Sequence, residues 1–193
     1  MIRNLQLTTL VLLASLAFAQ DAVNPALRPP AGAQVAIIAF EDLECPDCRR
    51  EHPKLEEAAR TNNVPLVLHD FPLPFHEWSF EAAVTARYFD ARSKDLGNQY
   101  RDYIFQNQPE INKDNLRSYS EKFAAQNKLD LPANPDPNGK FAAQVTADRD
   151  LANSIGIRRT PTIYVVSDKI QKPFIEVIDR TELNQLIQAM KSE

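Results

Sequence analysis

Glycine is scarce in this chain, with four residues in 193. Such a composition is not collagen-like, and at 44% apolar and 25% charged it is not that of a wholly disordered chain either. The length suits one domain, or one domain carrying an insertion. Cysteine is scarcer still: Cys45 and Cys48 are the only two, and both lie in one C-x-x-C. A disulfide scaffold spreads its cysteines to close long loops, whereas this pair closes a very short one and would stabilise little. No second C-x-x-C and no C-x-x-H accompanies it, so the further ligands of a structural zinc site are missing. Repeats and low-complexity stretches are also absent.

Apolar runs long enough to cross a bilayer, roughly 20 residues, are lacking too. The stretch Leu10 to Phe18 follows Arg3 and ends in Ala17-Phe18-Ala19 before polar Gln20 and Asp21. That pattern predicts a secretory signal peptide, residues 1–19, cleaved after Ala19. The mature protein is then expected to be soluble in a periplasmic or otherwise extracytoplasmic, oxidising compartment. Without Arg3 the 22 basic residues become 21 against 26 acidic ones, a net charge of -5. This argues against nucleic acid as a partner, because binding it rests on a basic footprint.

What is present reads as alternating elements. Residues 20–34, with Pro25, Pro29, Pro30 and Gly32, have the composition of a linker. Val35 to Phe40 is a continuous apolar run, expected as a strand buried on both faces. A helix is expected from Pro46 to about Asn62, with Pro46 in its first turn and Pro53 kinking it. Val64 to Asp70 reads as a second buried strand, and Phe71-Pro72-Leu73-Pro74-Phe75 as a loop. From about residue 78 to 155 the pattern is mostly helical: Phe80 to Arg92, around Tyr100 to Gln106, Asp114 to Asn127, and about Gly139 to Ile155. Short strands at Thr162 to Val166 and Phe174 to Ile178 precede a helix from Thr181 to Met190, with Thr181 as its expected cap. The order implies an α/β layer architecture, residues 35–193, with a helical insertion between the second and third strands at about 78–155.

Cys45 falls after a strand and at a helix start, where unpaired N–H groups and the helix dipole favour a thiolate. Cys48, one turn on, can face it. This predicts Cys45 as the exposed, low-pKa nucleophile and Cys48 as the buried resolver of a mixed disulfide. His52, His69 and His76 are the only histidines. His52 reads as a solvated helix residue, the alternative being a metal site with Cys45 and Cys48. His69 ends a strand, His76 lies in the proline-rich loop, and neither is assigned a role. Phe75 and Trp78 read as packing residues.

Ala39-Phe40-Glu41-Asp42-Leu43-Glu44-Cys45-Pro46-Asp47-Cys48-Arg49-Arg50, with Pro53 behind it, is joined downstream by Asp70-Phe71-Pro72-Leu73, an alanine-rich helix after Trp78 and Gly156-Ile157-Arg158-Arg159-Thr160-Pro161-Thr162. Together these segments resemble the DsbA-like thiol-disulfide oxidoreductases of the thioredoxin superfamily, over roughly residues 33 to 190. The most specific element is the joint occurrence of C-P-x-C and a late T-P-T before a strand. The resemblance implies a thioredoxin-like fold and a cis Pro161 opposite the cysteines, the rare X–Pro form that marks a constrained turn. It also implies a substrate strand paired with the backbone of Thr160.

The resemblance further implies a dithiol oxidase acting on cysteine-containing exported proteins and reoxidised by a membrane quinone-linked thiol oxidase. No cofactor beyond the Cys45–Cys48 disulfide is expected, and a monomer is. A reductase or isomerase of the same fold, or a Cys/His metal-binding chaperone without redox turnover, are the competing readings. Two departures stand out. Many relatives carry an acid six positions before the first cysteine, where this chain has Ala39; Glu41 is either its substitute or a solvated acid. Strongly oxidising relatives have histidine where this chain has Asp47, whose charge is expected to disfavour the Cys45 thiolate, or to serve only as a helix-terminal acid.

Overall fold

The computed structural model describes residues 24–169 and 174–192. The expected signal peptide and residues 20–23 of the expected linker lie outside the described residues. Of the rest of that linker, Pro25–Leu27 forms a short 3-10 turn capped by Asn24, and buried Leu27 packs under the sheet.

The sheet has the order β2-β1-β3-β4. Strand β1 (Val35–Glu41) is buried along its whole length because alternate side chains enter two separate cores. Val35, Ile37 and Ala39 meet Leu55 and Ala58 of α1 (Pro46–Asn62) and Ile187 and Met190 of α6 (Leu183–Ser192). Ala36, Ile38 and Phe40 face the other way, towards Leu27, Ala152 and Ile157. On one side β1 pairs in parallel with β2 (Leu66–Asp70), and on the other it is antiparallel to β3 (Thr162–Ser167). Strand β4 (Phe174–Glu176) completes the sheet, antiparallel to β3.

Two expectations about the elements are corrected. The second strand begins at Leu66, and four of its five residues are only half-buried, because β2 lies at the edge of the sheet. Thr181 does not cap the last helix: the Asp179 carboxylate accepts from the Thr181 N–H (2.9 Å) and caps a 3-10 turn, Arg180–Glu182, that leads into α6. Helix α1 has the expected bounds, with Pro46 at its first position and Pro53 inside it.

The insertion consists of α2 (Ser79–Asp90), α3 (Lys94–Asn107), α4 (Leu116–Gln126) and α5 (Lys140–Ser154). Its core is aromatic, with Phe89 packed on Tyr100 and Phe123 at centroid distances of 4.9 and 5.0 Å. An ion network ties it to the end of β2. Fully buried Arg101 of α3 donates twice to Asp90 of α2 (2.9 and 3.0 Å) and approaches Asp70. Arg87 bridges Asp70 and Asp148, and Asp148 in turn receives His69 (2.8 Å) and the Asp70 N–H (2.9 Å). Close approach of α3 to α2 requires Gly97, since a Cβ there would collide with Asp90.

Breaking a buried ion pair by removing one partner costs about 3–5 kcal/mol. Arg101→Met is expected to lower unfolding stability by that amount, read from the urea midpoint at unchanged slope; a loss below about 1 kcal/mol would show the network to be dispensable. Burial is the largest single influence and would raise the Asp90 carboxyl, but the Arg101 hydrogen bonds together with the charges of Arg101, Lys94 and Arg87 outweigh it and hold Asp90 below its ordinary 3.8. Its contribution is therefore full above that value and lost as pH falls through the lower folded value. The variant should show a weaker acid dependence of stability.

Candidate active site

Strand β1 ends at Glu41, and Asp42-Leu43-Glu44 turns the chain so that Cys45 becomes the N-terminal cap residue of α1. The Cys45 backbone is extended and its N–H donates to the Asp42 carbonyl (3.0 Å). Cys48 sits in the first helical turn and is 0% exposed. The expected exposure of Cys45 is corrected, as the residue is only 7% exposed. Both cysteines belong to the insertion's core, with Leu43, Trp78 and Ala82 packed around them.

The loop before β3 closes the site from the other side. Pairing of Phe40 with Thr162 across β1 and β3 brings Thr160 to the cysteines, and the Thr160–Pro161 bond is cis. The Cys45 Sγ lies 3.5 Å from the Thr160 carbonyl oxygen. The Thr160 hydroxyl is buried with no hydrogen-bond partner in the protein while Cys45 is a thiol, so it is free to turn towards a Cys45 thiolate. The structure thus brings Cys45, Cys48, Thr160 and Pro161 together, with Pro46 at the first position of α1. Asp47 is half-exposed and paired with Arg50.

Electrostatics separate the two thiols. The Cys48 thiol, as a donor, is the largest influence on Cys45; burial opposes it, the Thr160 hydroxyl and Cys48 N–H add to it, Asp42 acts against it, and the balance brings Cys45 down from 9.0 to about 6. Burial pushes the Cys48 thiol well above its ordinary value, and its hydrogen bond to Cys45 and the charge of Glu41 push the same way.

Several site residues were not singled out by sequence reasoning. Asp42, 1% exposed, accepts from the Glu44 N–H (2.8 Å), the Ser79 hydroxyl (2.5 Å), the Leu73 N–H (2.7 Å) and His76 (2.7 Å), while its own N–H donates to the Cys48 sulfur (3.4 Å). Glu44 accepts from the Trp78 and Ser79 N–H groups at the start of α2. Gln108 donates to the carbonyls of Leu43 (2.8 Å) and Cys45 (3.1 Å). An acidic run before the cysteines was the one available signal; nothing local marks Gln108.

His52 is not solvated. It is 1% exposed, held between Glu41 at Nδ1 (2.7 Å) and Asp102 at Nε2 (3.2 Å), with Phe105 against its ring. Burial opposes its charge, but the Glu41 and Asp102 carboxylates overcome this and raise it to about 10. Glu41 is likewise buried, not a surface acid. Both His52 nitrogens face carboxylates, and the cluster of metal-ligating groups among the described residues is His52, Glu56 and Asp102, without either cysteine. Trp78 is buried as expected for packing, whereas Phe75 is 73% exposed, because its loop is held by backbone and histidine contacts to Asp42 instead.

The family model described as Thioredoxin matches residues 30–189. No curated protein matches at the sequence level. Among solved structures, Wolbachia pipientis α-DsbA1 is similar with a TM-score of 0.68 at 18% identity, over 86% of this chain and 94% of that one. Pseudomonas aeruginosa DsbA2 gives 0.62 at 22% identity over 86% and 93%. BdbD from Bacillus subtilis gives 0.63 at 21% identity over 86% and 92%. At these identities the likeness is one of fold.

Alkylation of the reduced protein by iodoacetamide should follow one thiolate with a midpoint near pH 6, assigned to Cys45, while Cys48 stays unreactive. Thr160→Val removes a donor to that thiolate and should move the midpoint upward; an unchanged midpoint would show that the hydroxyl has no part. Because the folded pKa is depressed, the thiolate's stabilising contribution is present above 9.0 and lost as pH falls to about 6. Reduced protein should therefore gain stability over that window relative to Cys45→Ser.

Proposed function

Because the chain belongs to the thioredoxin family, we propose that it is a thiol-disulfide oxidoreductase exchanging the Cys45–Cys48 disulfide with cysteines of exported proteins, as a dithiol oxidase. The observation that carries this reading is the separation of the two thiols, a depressed Cys45 against a raised Cys48 within one helical turn. A substrate thiolate attacks the Cys45 sulfur, the Cys45–Cys48 bond breaks, and Cys48 leaves and takes up a proton. A second substrate thiolate then attacks the substrate sulfur of the mixed disulfide, the substrate disulfide forms, and Cys45 leaves as a thiolate. Two electrons pass from the substrate dithiol to the cysteine pair. A low-pKa Cys45 is the better leaving group in the second step, and its stable thiolate favours the reduced protein, which is the direction an oxidase needs.

The Thr160 backbone beside Cys45 fits an extended substrate segment bound by strand addition, which reads shape more than sequence. In this reading the protein works as a monomer in the periplasm or an equivalent compartment, and a membrane quinone-linked thiol oxidase restores the disulfide. A reductase would run the same steps in reverse, whereas an isomerase would attack a substrate disulfide through the Cys45 thiolate and be released by another substrate thiolate, with no net transfer of electrons. The redox potential of the couple separates the directions, since known oxidants and reductants of this fold differ by roughly 150 mV.

Cys48→Ser should accumulate mixed disulfides with reduced substrate through Cys45, seen as dithiothreitol-sensitive adducts, and Cys45→Ser should not; equal trapping by both would refute the assignment. Asp47→His should lower the Cys45 pKa and raise the potential by about 30 mV per unit of pKa where the thiolate dominates. No change in either would show that the Asp47–Arg50 pair already cancels the charge.

A further inference from the structure

Behind the cysteines, His52 presents its Nε2 to a small acidic pocket. That atom is buried and makes no hydrogen bond, although Asp102 Oδ1 of α3 lies 3.2 Å away and Glu56 Oε1, one turn further along α1, lies 3.8 Å away. The three ligand atoms all fall within 4.8 Å of one another. The other ring nitrogen, Nδ1, is fixed by Glu41 at 2.7 Å. Glu56 and Asp102 are partly exposed, and Asp102 opens onto a cleft of about 290 Å³ lined also by Arg49, Pro53, Phe105 and Gln106.

We propose that His52 Nε2, Glu56 and Asp102 form a binding site for a divalent cation of the zinc class, with Glu41 as the outer partner that orients the imidazole. Ligands at 2.0–2.2 Å from a tetrahedral Zn²⁺ stand about 3.4 Å apart, and the observed 3.2 and 3.8 Å bracket that spacing. A metal-bound histidine characteristically donates its second N–H to a carboxylate, which is the Glu41 contact. One imidazole with two carboxylates suits a borderline cation better than a hard one, and the open side leaves room for water. Three carboxylates gather around this single imidazole, and the Arg49 guanidinium lines the same cleft. The cation takes the place of the Nε2 proton, which leaves to solvent. The site uses neither sulfur, so the proposal does not rest on the redox reading and can be tested with the two cysteines joined as a disulfide.

The test titrates chelator-stripped protein, with Cys45 and Cys48 joined as a disulfide, with Zn²⁺ by calorimetry. One equivalent should bind. Glu41→Gln should weaken binding about 10–100-fold, and Glu56→Gln and Asp102→Asn, at partly exposed positions that need not disturb folding, should each weaken it at least tenfold. With Co²⁺ in place of Zn²⁺, the His52 ring signals should be paramagnetically shifted. Absence of binding in the wild-type protein, or affinity unchanged by both Glu56→Gln and Asp102→Asn, would overturn the site and leave His52 as a buried imidazolium held by ion pairs.

Discussion

The carboxylate of Asp42 is almost wholly removed from water, and a buried charge of that kind is tolerable only if its lone pairs are filled. Four donors from three segments fill them: Glu44 from its own turn, Leu73 and His76 from the proline-rich loop, and Ser79 from the start of α2. Each segment is thereby fixed relative to the others. The loop from Phe71 to His76 departs from regular structure because its prolines supply no N–H, and the Leu73 N–H is directed at Asp42. Through its own N–H, Asp42 also fixes the Cys48 sulfur, so the same residue that assembles the loops sets the position of the resolving thiol.

The helical insertion acts on the cysteines through solvation. Its first helix begins where Glu44 accepts the N–H groups of Trp78 and Ser79, directly beside the cysteine turn. Trp78 and Ala82 then close over Cys45 and Cys48. Desolvation penalises the charged form of both thiols, but unequally, since Cys48 is the more deeply enclosed. Kept protonated, Cys48 is a hydrogen-bond donor to Cys45, and this is the largest influence lowering Cys45. Burial of one thiol is therefore converted into acidity of the other. Away from the cysteines the insertion is held by Arg87 and Arg101 against Asp70, so the ion network and the site each tie it to the sheet side of the molecule.

Much of this was legible in the sequence, because the relevant signals are local. The apolar run of β1, Pro46 at the head of α1, the C-P-x-C pair and the Thr160-Pro161 turn each announce themselves within a few residues. What was not legible depends on partners distant along the chain. His52 looks solvated when α1 is read alone, since Phe105 and Asp102, which cover it, come from α3. Leu66 to Leu68 look like a buried strand until the strand order places β2 at an edge. Phe75 carries the apolar character of a packing residue, yet its loop is held by polar contacts that leave the ring outside. Asp42 is one acid in a run of three around Leu43, and nothing in that run distinguishes the carboxylate that will be buried.

Ala39 and Glu41 show how moving one acid changes the physics around the resolving cysteine. Side chains two apart on a strand point to the same face, so an acid at position 41 keeps the orientation of one at 39 but lies at the strand's end. Ala39 is in the dry core between sheet and α1, where a carboxylate would have to be accommodated among Leu55, Ala58 and Ile187. Glu41 instead reaches His52 on α1, whose positive charge offsets the cost of burying the carboxylate. The pairing is incomplete, because Glu41 Oε1 keeps no partner in the protein. Burial is the main cause that keeps Cys48 a thiol, the negative charge of Glu41 adds to it, and a thiol at that position is what stabilises the Cys45 thiolate. The acid at the end of β1, the histidine on α1 and the two sulfurs are thus linked electrostatically, with burial of Cys48 as the dominant influence and the charge of Glu41 added to it.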